Sequence, residues 1–416
     1  MLLVVTGASA AALLAAKPSI DQQIEYSRQP LFYSAWLLAL SGLVGIVVAA
    51  DAFNIFVFME ISSLASYILI AGGPNRRALP AVFKYLMMGT IGATFYLIGV
   101  GLIYMMTGTL NLADMQARIG DVTEINPILI AAGFITIGLA LKAAVFPLHV
   151  WVPNAYAYAP HMVTVFLAAC ATKVAMYVLI RFDYMIFQGN LTDHVMQFAW
   201  FAMPLAILGI LIASAVAIFE GHLKRLLASS SIAQIGYILL GVSFVSIAGL
   251  SASTMHLFNH ALAKGGLFLG VACIAYHYRD LRLSQLGGAS SRMPWTCATI
   301  VVSGLSLVGV PGTAGFISKW LLINAALQNE KWGWWLVAII LVSSLMAVVY
   351  VWRIVEALYF KEPVDNAEAA KISEAPIQLL FITGVVALMN IYFGLFPQLP
   401  LALADSTAAL LLGNIL

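Results

Sequence analysis

Twelve long apolar stretches follow one another along this chain, and nothing else in it constrains the fold as strongly. They lie near 1–16, 31–50, 52–72, 81–107, 127–147, 161–186, 197–220, 224–246, 252–277, 295–325, 332–361 and 376–396. About 20 apolar residues suffice to cross the hydrocarbon core of a bilayer. Inside a bilayer every backbone N–H and C=O must find a partner within the protein, which leaves helices or closed barrels. The alternating pattern of a barrel strand is absent. The expectation is an all-α polytopic membrane protein with about 12 transmembrane helices. The segment 398–416 is apolar but short and reads as a further partial helix. Residues 1–16 lack the basic start of a signal peptide and read as a short span. The longest connections, 108–126 and 361–375, are too short for a folded domain.

Composition agrees. The chain is 62% hydrophobic and 9% charged, with mean hydropathy +0.97, whereas soluble domains carry roughly 25% charged residues. A net charge of +2 suggests no nucleic-acid partner. Cys170, Cys273 and Cys297 stand far apart in apolar runs, so no metal, cluster or disulfide framework is expected. Neither a glycine-rich phosphate loop nor a nucleophile elbow occurs. No catalytic centre and no cofactor are expected.

Basic residues set the orientation. Alternate loops beginning with 17–30 hold Lys17, Arg28, Arg76, Arg77, Lys224, Arg225, Arg279, Arg282, Arg292, Lys361 and Lys371. The opposite set holds Arg118, Arg181 and Lys331. This bias places the first set in the cytoplasm. Trp332, Trp334 and Trp335 open a helix on the outer side, as an interfacial belt does.

Charges inside the spans are costly and tend to mark ion or proton paths, unless they snorkel or pair structurally. Glu60 lies near the middle of "DAFNIFVFMEISSLASYILI". Lys142 lies deep in "LALKAAVFPLHVWVP", five residues before Pro147, which cannot continue a helix. A broken helix exposes carbonyls, which is tolerated beside water or buried protein. Lys173 is mid-span in the next segment. Lys319 follows a second break at Val310-Pro311-Gly312. Lysine precedes proline in the first half and follows it in the second, a reversal that hints at an inverted repeat. His256, His260 and Lys264 recur every four residues in "MHLFNHALAKGGLFL" and share a helical face. Two histidines at that spacing can ligate a metal, but no HExxH motif or carboxylate accompanies them. A proton path or a structural polar seam fits better. Glu220, His222 and Lys224 cluster at a cytoplasmic helix end, where a proton entrance and plain solvation are both open. Lys84, four residues after Pro80, suits snorkelling as well as function. Arg353 and Glu356 share a face at i, i+3 and are expected to pair.

Several stretches resemble a known family: "DAFNIFVFMEISSLASYIL", "TGTLNLADM", "LKAAVFPLHVWVPNAYAYAP", "LKRLLASSSIAQIGY", "HLFNHALAKGGLFL" and "GVPGTAGFISKW". The chain is similar over nearly its whole length to the antiporter-like subunits shared by Mrp-type cation/proton antiporters, complex I and membrane-bound hydrogenases. The resemblance implies fourteen core helices in two inverted five-helix repeats, here 31–186 and 197–361. An N-terminal helix and loop (1–30) would precede them, and a C-terminal helix and tail (362–416) would follow. It implies that Glu60 is the essential glutamate, Lys142 the lysine of the first broken helix and Lys173 the connecting lysine. Lys319 would be the terminal lysine of the second broken helix, with His256, His260 and Lys264 on a polar central axis. "DAFNIFVFME", "TGTLNLADM" and Lys319 are most similar to the MrpD branch of the family. The chain departs from the family by starting at what would be the third helix.

The resulting expectation is a proton-translocating subunit, with sodium transport left open by the sequence, held among other membrane subunits in a bacterial or archaeal cytoplasmic membrane. A stand-alone carrier of a small organic substrate and a non-conducting scaffold are the alternatives. The carrier would need a substrate-sized cavity at mid-membrane.

Overall fold

Uninterrupted apolar sequence makes these segments helical, because each must satisfy its own backbone. The computed structural model describes residues 1–187, 192–362 and 372–412, with the backbone alone for 192–199. Lys371, residues 363–370 of the expected loop and residues 413–416 of the expected tail lie outside the described residues. In chain order the helices are α1 (Leu2–Leu14), α2 (Ala16–Gln23), α3 (Gln29–Val48), α4 (Ala52–Ala71), α5 (Ala78–Thr107) and α6 (Leu112–Ile119). Then come α7 (Ile125–Ala143), α8 (Val152–Tyr158), α9 (His161–Arg181), α10 (Thr192–Phe219), α11 (Leu223–Val242) and α12 (Ile247–His277). The last are α13 (Ala289–Arg292), α14 (Pro294–Val308), α15 (Ala314–Leu327), α16 (Gly333–Tyr359), α17 (Ile377–Leu395) and α18 (Gln398–Leu412).

All twelve apolar runs are helical. Among the described residues, ten helices are long and apolar enough to cross a membrane, or eleven if α1 and α2, bent by 63°, count as one span. The run 295–325 divides into α14 and α15, each too short to cross alone. The first run is likewise interrupted: α1 ends at Leu14, and the chain turns into α2 instead of stopping at residue 16.

Two series of five helices share one plan: α3, α4, α5, α7/α8, α9 and then α10, α11, α12, α14/α15, α16. The fourth member of each is broken. In each series the turn before the second helix pairs with the segment after the third, through an isolated antiparallel bridge, Asp51 with Asn111 and His222 with Arg282. The interval from Asp51 to His222 equals that from Asn111 to Arg282. The fifth helix repeats the plan as well. Arg181, the last residue of α9, donates from Nη1 to Ala49 O at 2.6 Å, just past the end of α3. Arg353 of α16 donates to Ile218 O and Glu220 O at the end of α10. A permanent cation at a helix C-terminus satisfies free carbonyls and offsets the macrodipole. Arg353 is therefore engaged with backbone, and no Arg353–Glu356 ion pair occurs among the described residues.

Burial separates an inner set from an outer one. About nine-tenths of the apolar windows of α9, α11 and α12 are buried, against 39% for α5 and α7. The inner three carry Lys173, Lys224, His256, His260 and Lys264. The outer helices turn apolar side chains outward, as lipid-facing helices do. Close approach depends on small residues at one contact in particular: a Cβ on Gly92 of α5 would come within 2.9 Å of Gly138 O on α7. That contact seats α7, and so Lys142, against its neighbour.

Candidate functional site

Helix α7 stops at Ala143 because Ala144 adopts a left-handed conformation (φ 59°). Val145 N donates back to Ala140 O at 3.0 Å, the closure typical of such an end. The expected breaker, Pro147, lies three residues further on; its ring excludes a helical carbonyl four residues back, at Ala143, so the helix cannot continue through it. The carbonyl of Leu141, which also receives Ala144 N at 3.3 Å, accepts the indole N–H of Trp151 at 3.1 Å. Lys142 is thus the penultimate helical residue. Its Nζ lies 3.3 Å from Glu60 Oε1 and 2.7 Å from Ser63 Oγ, both on α4. The lysine side chain is 7% exposed and that of Glu60 27%.

The second break has a similar start. Helix α14 ends at Val308, and Gly309 (φ 90°) is left-handed. Both Gly309 N and Val310 N return to Leu305 O at 3.0 Å. Pro311 again lies beyond the stop. Here the freed carbonyl, Val308 O, accepts Lys319 Nζ at 2.8 Å, reaching back from α15. Lys319 also donates to Ser344 Oγ at 3.1 Å, and its Nζ lies 4.9 Å from the centre of the Tyr237 ring. No carboxylate pairs with it among the described residues.

Between the breaks runs a buried polar line on α9, α11 and α12. Lys173 is fully buried and donates to Ala168 O of its own helix. Lys264, also fully buried, donates to Leu227 O at 2.7 Å and to Ser230 Oγ, both on α11. Lys173, Lys264 and His256 are the charged or titratable groups that face His260. Both ring nitrogens of His260 are buried without a protein hydrogen-bond partner. Its ring stacks at 6.1 Å on His256. His256 in turn bonds Gln234 Oε1 at 3.0 Å and Ser318 Oγ at 2.9 Å, and Ser318 adjoins Lys319 in sequence. Titratable side chains therefore extend from Lys173 to Lys319.

Other expected residues fall to the edges. Lys84 is exposed on α5 and joins no cluster. Glu220 pairs with Arg225 at 3.2 Å. Lys224 is buried, contrary to its count among loop charges, and donates to Ala159 O at 2.8 Å. Beside it, burial pushes His222 below the ordinary imidazole range, and the Lys224 charge adds to the effect. Sequence reasoning overlooks Ser63, Gln234, Tyr237, Ser318, Ser344 and His161. Ser63 stands one helical turn after Glu60, and Gln234 interrupts an apolar run, so both leave a signal. Tyr237 and Ser344 leave none.

Residues 49–347 match the family described as NADH:quinone oxidoreductase/Mrp antiporter, TM. An NADH-quinone oxidoreductase subunit N from Desulforudis audaxviator is 38% identical over 93% of the chain and 78% of its own length. The D-type subunit of a Na(+)/H(+) antiporter from Alkalihalophilus pseudofirmus is 29% identical over 86% of the chain and 71% of its own. Relatives of both names thus align with most of the chain. Among solved structures, a chain of the Mrp complex from Dietzia superposes with TM-score 0.82 at 28% identity, covering 91% of this chain and 77% of that one. A chain of respiratory complex I from Thermus thermophilus gives TM-score 0.75 at 26% identity, covering 96% and 85%.

Proposed function

The chain belongs to the NADH:quinone oxidoreductase/Mrp antiporter transmembrane family, and from that premise we propose that it moves protons as one membrane subunit of a larger assembly. The observation that carries this reading is the Glu60–Lys142 contact of 3.3 Å beside a broken helix. An ion pair in that position can be made and unmade. While Glu60 is near, it favours the ammonium form of Lys142. Drawing the two apart removes that support and releases the proton toward Lys173. From there the path is Lys173, His260 and His256, with Lys264 alongside, and then Lys319. We assign the two conducting halves to 31–186 and 197–361, related by inversion.

A unit charge crossing the membrane exchanges roughly 2.3 kcal/mol per 100 mV. Net transport therefore needs an ion gradient or a driving partner, which is why the proposal includes other membrane subunits. The placement is a bacterial or archaeal cytoplasmic membrane, following the sources of the relatives. The antiporter relative is named for sodium as well as protons. In this chain the pairing of Glu60 with a lysine favours protons at that position. A stand-alone organic-substrate carrier is disfavoured. A cavity of about 660 Å³ between α1, α9, α12, α17 and α18 has a mostly apolar lining and touches none of the lysines just named.

The test is proton flux in vesicles carrying the purified assembly, with Glu60→Gln, Lys142→Met, Lys142→Arg and the Glu60→Gln/Lys142→Met double variant. Each is expected to assemble and to lose flux. A guanidinium holds its proton, so arginine cannot substitute for a carrier. Near-normal flux in Lys142→Arg or in the double variant overturns the proposal. Isolation as a lone, proton-transporting monomer would overturn the assembly part.

A further inference from the structure

We infer that His161, His222 and Lys224 form a cytoplasmic proton-uptake port that feeds Lys264; the inference rests on the proton-translocating reading above. Three separate segments bring these groups together. His161 opens α9, His222 sits in the turn before α11, and Lys224 is the second residue of α11. The positive-inside bias puts all three at the cytoplasmic end. Ala159, just after α8 and two residues before His161, holds Lys224 Nζ through its carbonyl at 2.8 Å. Lys224 and His222 are the groups facing His161. Those facing His222 are Lys224, Asp280, Glu220 and Arg225.

The cluster grades from surface to interior. Glu220 and Arg225 at its rim keep side-chain exposures of 20% and 39%, while Lys224 is 1% exposed. Nδ1 of His161 and Nδ1 of His222 are both buried without a protein hydrogen-bond partner. A structural histidine ordinarily fixes its ring through both nitrogens. Two rings each with an unengaged nitrogen, next to a buried lysine held by a single neutral carbonyl, are arranged for proton exchange. Tethering of α8 to α11 alone would need only Lys224.

The onward route follows α11. Leu227 O and Ser230 Oγ, the two acceptors of Lys264 Nζ, lie roughly 4.5 and 9 Å beyond Lys224 along the axis at 1.5 Å per residue. In the forward step an imidazolium at His222 or His161 gives one proton to the amine form of Lys224 and returns to neutral imidazole. The Lys224 ammonium then gives a proton to a file of waters along α11, which delivers one to the Ser230 hydroxyl. That hydroxyl passes its own proton to the amine form of Lys264. One proton moves at each transfer, and every donor is restored.

The experiment uses vesicles with the complete assembly, comparing wild type, Lys224→Met, Lys224→Arg and the His161→Ala/His222→Ala double variant. Flux is measured while imidazole is added on the cytoplasmic or the outer face. We expect each variant to assemble and to lose flux by about 100-fold or more in weak buffer, the scale of a lost acid–base group. Cytoplasmic imidazole should restore the double-histidine variant, and outer imidazole should not. Unchanged flux in Lys224→Met and in the double variant overturns the port. Loss without side-specific rescue overturns it too and assigns the cluster a structural role. Glu60→Gln should lose flux at every imidazole concentration. If the wild-type assembly carries no proton flux, the proton-translocating reading fails with the port; if it does and the variants match it, the port alone fails.

Discussion

The two broken helices end alike, in a left-handed residue, but use the side chains around that end differently. In the first, Trp151 takes the Leu141 carbonyl, so Lys142 is left for Glu60 and Ser63. In the second, Lys319 itself takes the Val308 carbonyl, and its remaining contacts are a hydroxyl and an aromatic face. Lys142 is therefore paired with a full opposing charge. Lys319 is governed by neutral dipoles fixed to the backbone, including the negative end of α14. Under the proposed function, the first lysine is the one open to modulation. The second is also a structural cap, so its chemistry and the integrity of its helix are coupled.

Substitutions at the two lysines sharpen this contrast most. Lys142→Met should cut proton flux by about 100-fold or more, the range for losing a proton-transfer group. It also strands Glu60, lowering the melting temperature of the assembly. Adding Glu60→Gln removes the stranded charge and should recover most of that temperature loss while flux stays absent. Scanning calorimetry alongside the flux assay checks both halves, and recovery of flux would contradict the scheme. Lys319→Met should lose flux and about 1–3 kcal/mol of stability by baring Val308 O. Here no carboxylate substitution can rescue it, since no carboxylate is involved. A fully stable Lys319→Met would show that the cap is dispensable.

Next come the stops themselves. Gly309→Ala should cost about 1–2 kcal/mol, because a residue with a Cβ disfavours the left-handed region. The new Cβ would also meet Lys319 Cδ at 2.9 Å. Ala144→Gly should instead be neutral or stabilising by up to about 1 kcal/mol, since glycine adopts φ 59° freely. Opposite signs in thermal denaturation would support the shared geometry. Destabilisation by both would refute it. The smallest effect belongs to Lys84→Gln. This exposed side chain should change stability by no more than about 0.5 kcal/mol and leave flux intact. A large flux loss there would draw α5 into the path.

Much of the site is legible in the sequence. The cost of a charge in hydrocarbon singles out Glu60, Lys142, Lys173 and Lys319, and four-residue spacing puts His256, His260 and Lys264 on one face. Proline marks both breaks, but it does not reveal the left-handed residue that ends each helix, an alanine in one case and a glycine in the other. Lys224 counts as a loop charge because hydropathy cannot tell a helix end in water from one buried under α8. Arg353 is matched to its sequence neighbour Glu356, since helical spacing reveals only contacts within one helix.

The sequence by itself determined the solvent of the fold and its element type. Apolar length, scarce charge and obligatory backbone pairing leave a bundle of membrane helices almost without alternative. It also determined which residues are too costly to be idle. Only the tertiary structure decided which partner each of them meets. Glu60 and Lys142 lie 82 positions apart, and Lys319 reaches its carbonyl across a break. The two arginines find the ends of helices that precede them by more than a hundred residues. Side-chain pairing across helices depends on crossing geometry and on small residues that let backbones approach. Such information is spread over many apolar positions, none of which signals it alone.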